Sequence, residues 1–163
     1  MIRIQGFSPI STPDAHVLIL GSMPGIRSLY ANEYYAHKGN VFWRMMGELI
    51  GAGWDKPYSE RVRILNDKGI AVWDVIKSCV RQGSKDVDIR DIEPNDFRMF
   101  FKQHPKIRKI GFNGQKASDV FKKFARESSL SQIVLVDLPS TSSQNRWLSF
   151  PEKRDIYGEL ISR

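Results

Sequence analysis

Apolar residues cluster in four short runs along the chain, and segments with helical spacing separate these runs. The runs cover residues 17–20, 70–76, 107–112 and 133–138. Short apolar runs that end at turn-forming residues are typical of buried strands, and strands that alternate with helices pair in parallel through crossover connections. The pattern therefore predicts a three-layer α/β domain, in which a central four-stranded parallel sheet is flanked by helices.

The helices are predicted from apolar spacing and from signals at helix ends. Apolar residues recur every three or four positions over 41–50, which predicts a helix with one buried face. Ser149 and Glu152 form a capping box, with Pro151 at the first helical position, and predict the start of the last helix. Further helices are predicted at 57–68, from Pro94 to a point before Pro105, and at 115–127 with Val120, Phe121 and Phe124 facing inward.

Three polar loops leave the carboxyl ends of the predicted strands. These loops are 21–40, 113–116 and 139–146. Ligands of open parallel sheets bind outside the carboxyl ends of the strands, so we expect the three loops to form one site. Elsewhere, 1–15 is expected to be an edge strand or a covering arm, and 77–91 a long polar loop.

Composition and charge indicate a basic globular chain. Among its 163 residues, 25 Lys and Arg against 18 Asp and Glu give a formal charge of +7. We expect a single domain over residues 1–163. A positive excess raises the odds of a polyanionic partner such as nucleic acid, although many basic proteins bind none.

Cysteine usage and hydropathy bear on the compartment. Cys79 is the single cysteine, so no intramolecular disulfide can form, which suits a reducing cytosol. No apolar run approaches the ~18–20 residues of a transmembrane helix. The first residues show no secretory signal pattern. We therefore expect a cytoplasmic protein without membrane contact, associated with the nucleoid when it acts on DNA.

The turn GSMPG follows the first predicted strand. Gly21 and Gly25 can form an ordinary tight turn, or they can let the backbone approach a phosphate or a flat base closely. The spacing matches neither GxGxxG nor a Walker loop, which argues against a nucleotide-binding enzyme. With 3 His and 1 Cys the chain cannot build a zinc site, which excludes zinc-dependent base deamination, and no cofactor is expected.

The second half of the 21–40 loop contains three candidates for chemistry. Tyr35 lies in a polar segment, where its ring can stack on an extruded base or can belong to the core. His37 can be a proton donor, a phosphate contact or a plain hydrogen-bonding residue of the loop. Asn40 stands where a helix N-cap belongs, yet its amide can also hold a water or a base edge. Phe42, on the apolar helix face, is expected in the core.

The two later loops offer amide, ammonium and hydroxyl groups. Asn113, at a strand end, can hydrogen-bond the edge of a base. Lys116 lies in a first helical turn, where a cation opposes the helix dipole, and this indicates an anion nearby. The third loop can be an ordinary solvated loop, or it can bind backbone phosphates. The candidate phosphate contacts are Ser140, Thr141, Ser142, Ser143, Asn145 and Arg146.

Four segments resemble motifs of the uracil-DNA glycosylase superfamily. They are LILGSMPG, YYAHKGNVFW, IGFNGQKA and LPSTSSQN, and in order and spacing they cover residues 16–147. The pattern is most similar to the hypoxanthine (deoxyinosine) DNA glycosylases, which are related to the mismatch-specific uracil/thymine glycosylases. The resemblance implies the superfamily fold and a reaction in which a deaminated base is flipped from DNA and hydrolysed off, leaving an abasic site.

The resemblance also implies roles for residues of the base pocket. Tyr35 matches the aromatic residue that stacks on the flipped base, and GSMPG matches the first catalytic motif, where Ser22 and Met23 would line the pocket. In relatives that cleave uracil or thymine, this motif carries an Asn or Asp that positions the attacking water, and Met23 cannot do this. In the deoxyinosine branch the amide of an HxxN motif is the substitute, so Asn40 is expected to be catalytic.

The DNA contacts implied by the resemblance lie around the pocket. PSTSS matches the loop that pinches the DNA backbone beside the lesion, and we expect further backbone contacts from Gly25, His37 and Lys116. No lysine occupies a motif position that suggests a Schiff base, so we expect hydrolysis without strand cleavage. The expected substrate is double-stranded DNA with a deaminated base, and single-stranded DNA is a further candidate. The protein is expected to act as a monomer.

Other interpretations stay open from the sequence alone. The enzyme can release uracil in place of hypoxanthine, although Met23 argues against this. The chain can also be a non-catalytic nucleic-acid binder that kept the fold and lost the motif Asn. A small nucleotide-binding α/β enzyme is the weakest interpretation, because the phosphate-loop signature is missing.

Overall fold

The computed structural model describes residues 2–125 and 130–162. In chain order the strands are β1 Arg3–Gln5, β2 Val17–Gly21, β3 Ile70–Asp74, β4 Ile76–Val80, β5 Arg90–Pro94, β6 Lys109–Asn113 and β7 Val134–Leu138. The α-helices are α1 Ile26–Ala31, α2 Phe42–Ile50, α3 Tyr58–Asp67, α4 Phe97–Gln103, α5 Gln115–Phe124 and α6 Phe150–Ile161. A short 3-10 turn occupies Asp86–Asp88.

The central sheet contains four parallel strands in the order β3-β2-β6-β7. Every residue of β2 and β3 is buried, as expected for parallel strands that are covered on both faces. The register places Gly21 opposite Asp74 and Asn113 opposite Leu138, so the carboxyl ends of the strands lie along one edge. The predicted α/β class and four-stranded parallel sheet are confirmed.

Helices cover both faces of this sheet and complete the three layers. On one face, α4 and α5 bury Phe97 and Phe121 against it. On the other face, α2, α3 and α6 contribute Phe42, Leu65 and Tyr157 to a second apolar cluster. Phe42 is fully buried, as predicted from its place on the apolar helix face. None of the helices in the described part of the chain is long and apolar enough to cross a membrane.

A second, antiparallel sheet was not predicted. It contains β1, β4 and β5 in the order β1-β4-β5, and β1 is the edge strand expected within 1–15. The apolar run 70–76 supplies both sheets, since β3 ends at Asp74 and β4 begins at Ile76. The predicted loop 77–91 is therefore wrong at both of its ends, which belong to β4 and β5.

The two sheets are joined by the single residue Val75. Its N–H donates to the Gly21 carbonyl at 2.8 Å, and its own carbonyl accepts from the Asn95 N–H at 2.9 Å. The next N–H, of Ile76, donates to the Ser22 carbonyl at 3.1 Å. These bonds attach the start of the small sheet to the loop that follows β2, at the edge where the site was expected.

The helices before β6 differ from the prediction in two ways. Pro94 ends β5 and does not begin a helix; α4 begins later, after the N-cap Asp96. The Asp96 carboxylate accepts from the Met99 N–H at 3.0 Å, and this capping bond fixes the true start. The predicted loop 21–40 also contains α1, a helix of 6 residues that follows the glycine turn.

The last two helices agree with the prediction except in detail. The capping box of Ser149 and Glu152 is confirmed, with Pro151 at the second helical position and not the first. Phe124 was expected to face inward but is 43% exposed, because it lies at the end of α5 beyond the edge of the apolar cluster. The predicted helix end at Glu127 lies outside the described residues.

Candidate functional site

Three adjacent strands end in residues that meet at the carboxyl edge of the sheet. Gly21 ends β2, Asp74 ends β3 and Asn113 ends β6. A Cβ atom on Gly21 would lie 2.5 Å from Asp74 Oδ1 and 3.1 Å from the Tyr35 hydroxyl. Glycine is therefore required at this position by close approach of side chains. We call Gly21, Tyr35, Asp74 and Asn113 the strand-end cluster.

Tyr35 joins the cluster from the loop that precedes α2. Its backbone has φ 54°, in the left-handed region, which turns the ring toward the strand ends. The ring is half-buried and packs against Phe42, with centroids 4.3 Å apart. Burial raises the pKa of its hydroxyl, and the nearby Asp74 raises it further, so the hydroxyl stays protonated. Tyr35 thus belongs partly to the core and partly to the site.

Asn113 connects Tyr35 to the loop that follows β7. Its Nδ2 group donates to the Tyr35 hydroxyl at 3.1 Å and to Thr141 Oγ1 at 2.9 Å. Its Oδ1 atom accepts from the Thr141 N–H at 2.9 Å, which leaves one Oδ1 lone pair open to a ligand. Thr141 is 1% exposed, so its hydroxyl positions the loop and does not face DNA, contrary to the expected backbone contact.

Asn40 caps α2 from one residue outside it. Its Oδ1 atom accepts from the Phe42 N–H at 2.9 Å, while Val41 occupies the N-cap position. The Val41 N–H donates to the Thr141 carbonyl at 3.0 Å, and this bond brings Asn40 beside the loop after β7. Over residues 2–125 and 130–162, Asn40 Nδ2 has no hydrogen-bond partner. Capping therefore uses the amide oxygen and leaves the amide nitrogen open to a ligand.

His37 lies on the exposed rim, next to the same loop. Its Nδ1 atom accepts from the Gly39 N–H at 2.9 Å, and its carbonyl accepts from the Asn40 N–H at 3.0 Å. A Cβ on Gly39 would lie 3.0 Å from the His37 ring and 3.2 Å from Ser143 Cβ. The structure therefore brings His37 and Ser143 together, and leaves His37 Nε2 for contact with a ligand.

The two residues expected from the glycine turn differ in what they can reach. Ser22 is half-buried, and its hydroxyl donates to Asp86 Oδ1 at 2.7 Å. Met23 is 7% exposed and packs in the hydrophobic core beside the small sheet. The expected base contact from the Met23 side chain is therefore not available, because the thioether faces the interior.

The segment 81–88 covers the glycine turn and was not predicted to do so. Ser84 Oγ accepts from the Ile26 N–H at 2.8 Å and lies 3.4 Å from the position of a Cβ on Gly25. Arg81 donates from Nη2 to the Pro24 carbonyl at 2.5 Å. Ser84 thus takes the Ile26 N–H beside Gly25, and the expected contact of Gly25 with the DNA backbone stays a prediction.

The loop 139–149 connects β7 to α6 and carries most of the expected backbone contacts. Ser140 packs against Gly114, where an added Cβ would lie 3.3 Å from Ser140 Cβ. Lys116 is half-buried and lies in the first turn of α5, which follows Gly114. The Asn145 carbonyl accepts from Lys153 Nζ at 2.7 Å. The Asn145 Oδ1 atom accepts from the Trp147 N–H at 3.2 Å. Ser142 is half-buried, whereas Ser143 and Arg146 are exposed.

Sequence reasoning missed two residues at this edge. Trp147, beyond Arg146, is 93% exposed, and a tryptophan in a polar loop was the available signal. Asp74 is only 4% exposed, and a carboxyl group inside the apolar run 70–76 was its signal. Burial raises the pKa of Asp74 to about 7, Asp86 adds to the rise, and Arg81 opposes it.

Comparison with known proteins gives the family. The sequence profile of the uracil DNA glycosylase superfamily matches residues 8–161. A hypoxanthine DNA glycosylase from Methanosarcina acetivorans is 36% identical over 160 residues, which is 98% of each chain. A hypoxanthine DNA glycosylase from Methanosarcina barkeri is 35% identical over 163 residues, or 99% of this chain and 100% of that one.

A solved structure agrees with these relatives. The solution NMR structure of a protein assigned as a uracil DNA glycosylase, from Methanosarcina acetivorans, superposes with a TM-score of 0.83 at 33% identity. The match covers 98% of this chain and 97% of that chain, so the whole fold is shared. Profile, relatives and fold all confirm the resemblance seen in the four motifs, and the chain belongs to the uracil DNA glycosylase superfamily.

Proposed function

We propose that this protein is a DNA glycosylase that removes hypoxanthine from deoxyinosine in double-stranded DNA. The reaction hydrolyses the bond between C1′ of the deoxyribose and N9 of the flipped base, and leaves an abasic site and the free base. Two relatives of nearly full length carry the name hypoxanthine DNA glycosylase, and they support this choice of base.

The observation that carries the proposal is the arrangement of Asn40. Its Oδ1 atom is held by the Phe42 N–H, so the direction of its Nδ2 group is fixed. Met23, at the motif position that positions water in uracil-cleaving relatives, faces the core. Asn40 therefore presents an anchored amide whose Nδ2 donor is open, whereas both Nδ2 hydrogens of Asn113 are already donated to Tyr35 and Thr141.

This arrangement supports a dissociative hydrolysis. A glycosidic bond of a deoxynucleoside can break before water attacks, so the enzyme has to stabilise the departing base and hold a water near C1′. A fixed amide donor in a dry pocket does the first, because its dipole needs no reorientation during the reaction. Asn40 Nδ2 is suited to donate to the departing base or to the water oxygen, while the Tyr35 ring stacks on the base.

A panel of lesions tests the substrate. We expect single-turnover release of hypoxanthine from a duplex with one deoxyinosine to exceed release of uracil or xanthine from matched duplexes. If uracil alone is released, the enzyme is a uracil DNA glycosylase and the choice of hypoxanthine is wrong. If no base is released from any duplex while binding persists, the chain is a nucleic-acid binder without activity.

Substitutions at Asn40 test the mechanism. Asn40→Ala removes both the cap and the donor, so we expect base release to be lost and the helix cap to weaken by about 1 kcal/mol. Asn40→Asp keeps an acceptor for the Phe42 N–H but has no Nδ2 donor. Loss of base release in Asn40→Asp at unchanged thermal stability supports donation by Nδ2. Full release by both variants would remove Asn40 from the mechanism.

A further inference from the structure

Asp74 is a buried carboxyl group that the mechanism above does not use. It is the last residue of β3 and is only 4% exposed. Within the described ranges, its Oδ2 atom has no hydrogen-bond partner. Burying an unpaired polar atom is costly, and such atoms in folded proteins call for an explanation. A bond that forms only when a ligand is present is one explanation.

The position of Asp74 indicates which ligand this is. Its Oδ1 atom and the Tyr35 hydroxyl both lie against Gly21. A Cβ added to Gly21 would lie 2.5 Å from Asp74 Oδ1 and 3.1 Å from the Tyr35 hydroxyl oxygen. Tyr35 is the side chain proposed to stack on the flipped base. The Asp74 carboxyl group therefore lies beside the proposed base position, at the edge of the sheet where ligands of this fold class bind.

We propose that Asp74, in its protonated form, is a catalytic residue that donates its proton to the departing base; this rests on the proposed glycosylase function. As the C1′–N9 bond breaks, its electron pair passes to the base, and the Asp74 proton moves to a base acceptor such as O6 or N7 of hypoxanthine. A water then adds hydroxide to C1′, and its remaining proton restores the carboxylic acid. The sum is hydrolysis to a sugar hydroxyl and the neutral base.

The surroundings of Asp74 favour the protonated form near neutral pH. Burial is the main cause of its pKa of about 7, and the carboxylate of Asp86 raises this pKa further. Arg81, which follows β4, is the cation that lowers it. The Tyr35 hydroxyl lies beside Asp74, and the Tyr34 hydroxyl in the same loop donates to the Ser8 carbonyl. Burial raises the pKa of both hydroxyls, so they carry no charge. A large share of Asp74 therefore keeps its proton at pH 7.

The test is the pH dependence of base release. We expect single-turnover release of hypoxanthine by the wild type to fall about tenfold per pH unit above the Asp74 pKa of about 7. Asp74→Asn keeps a neutral hydrogen-bond donor of the same size, so its rate should be lower but should not fall in this range. Asp74→Ala should release base about 10²-fold more slowly than the wild type at pH 6 to 7.

Two further variants separate this inference from general effects of charge. Asp86→Asn removes a negative charge near Asp74, so the falling limb should move to lower pH. Asp67→Asn changes an exposed carboxylate at the end of α3, paired with Arg63, and should leave the profile unchanged. A wild-type rate that rises through pH 7, or the same profile in wild type and Asp74→Asn, overturns the role of Asp74. No release by the wild type at any pH overturns the proposed function itself.

Discussion

At the scale of single residues, the site is held by short polar bonds between distant parts of the chain. The Asn113 amide joins Tyr35 to Thr141, and the Thr141 carbonyl in turn holds the residue after Asn40. A side chain that is fixed on one side presents a defined donor or acceptor on the other. The site is therefore organised before any DNA binds.

The close approach at Gly21 gives a prediction about stability. In Gly21→Ala the added methyl group meets Asp74 Oδ1 and the Tyr35 hydroxyl, so we expect a loss of about 1–3 kcal/mol in the free energy of unfolding. Gly25→Ala is the matched control, because its Cβ would meet only Ser84 at ordinary contact distance, and we expect a loss below about 1 kcal/mol. Urea unfolding of both variants measures this. Equal losses would contradict the crowding at Gly21.

The buried carboxyl of Asp74 gives a second prediction. The folded pKa of about 7 exceeds the ordinary value of 3.8, so the folded state binds this proton more tightly than the unfolded chain. The stabilisation is complete below about pH 4 and is lost as the pH rises through about 7. The shift of roughly three pH units corresponds to at most about 4 kcal/mol.

The measurement compares wild type with Asp74→Asn, which has no proton to lose. Between pH 4 and pH 7.5, we expect the free energy of unfolding of the wild type to fall relative to that of Asp74→Asn. Denaturant unfolding at several pH values gives the difference directly. A constant difference across this range would show that Asp74 titrates with an ordinary pKa.

At the scale of elements, the loop 139–149 is fixed at both ends and presents its tip to solvent. Thr141 is anchored to Asn113 near one end, and the capping box of Ser149 and Glu152 fixes the other. Between them, Lys153 holds the Asn145 carbonyl. Trp147 lies on this framework and is 93% exposed, although exposure of so large an apolar ring is unfavourable. An anchored loop with an exposed indole is suited to contact unstacked bases.

We therefore expect Trp147→Ala to weaken binding to a deoxyinosine duplex, because a ring stacked on a base contributes about 1–3 kcal/mol. The free energy of unfolding should change little, since the side chain is 93% exposed. Val134→Ala is a control at the opposite end of β7, where the side chain is 59% exposed and away from the loop. Fluorescence anisotropy measures affinity. Equal affinities of Trp147→Ala and wild type would exclude a DNA contact.

At the scale of the whole molecule, the formal charge of +7 favours attraction to DNA at long range. An exposed arginine at the site edge would convert this attraction into a phosphate contact that releases counterions. Arg146 is exposed beside Ser143 and Trp147 in the anchored loop, and in the described part of the chain it has no ion-pair partner. It is therefore free to meet a phosphate.

For Arg146→Ala we expect weaker binding to duplexes of any sequence and a salt dependence that is shallower by about one unit of slope. The slope of log K against log salt concentration, from anisotropy titrations, measures this. Arg27→Ala, in the exposed part of α1, shows whether any exposed arginine near the site has the same effect. A loss limited to the deoxyinosine duplex would instead place Arg146 near the flipped base.

The fold could be predicted where burial dominates the sequence pattern. β2 and β3 are buried throughout, so their apolar runs are unbroken and identify the sheet. β5 is mostly exposed and carries Arg90, Asp91 and Glu93, so it resembles a polar loop. Its pairing with β4 depends on residues far from it in sequence, and no local pattern encodes that.

The site was predictable in its location and only partly in its contacts. The carboxyl ends of the strands indicated where the loops meet, and the structure brings Tyr35, Asn40, Asn113 and the 139–149 loop together there. The cover over the glycine turn was not predictable, since Ser84 and Ile26 are 58 positions apart. Asp74 was missed because a carboxyl group in an apolar run is usually interpreted as the end of a strand.

The single-residue junction at Val75 has a consequence for how relatives of this protein can differ in length. Its amide and the next one are bonded to Gly21 and Ser22, so an inserted or deleted residue would displace Asp74 from the strand-end cluster. An insertion would also rotate the small sheet relative to the large one. Length changes among relatives should therefore avoid positions 74–76 and accumulate in exposed turns away from this edge of the sheet.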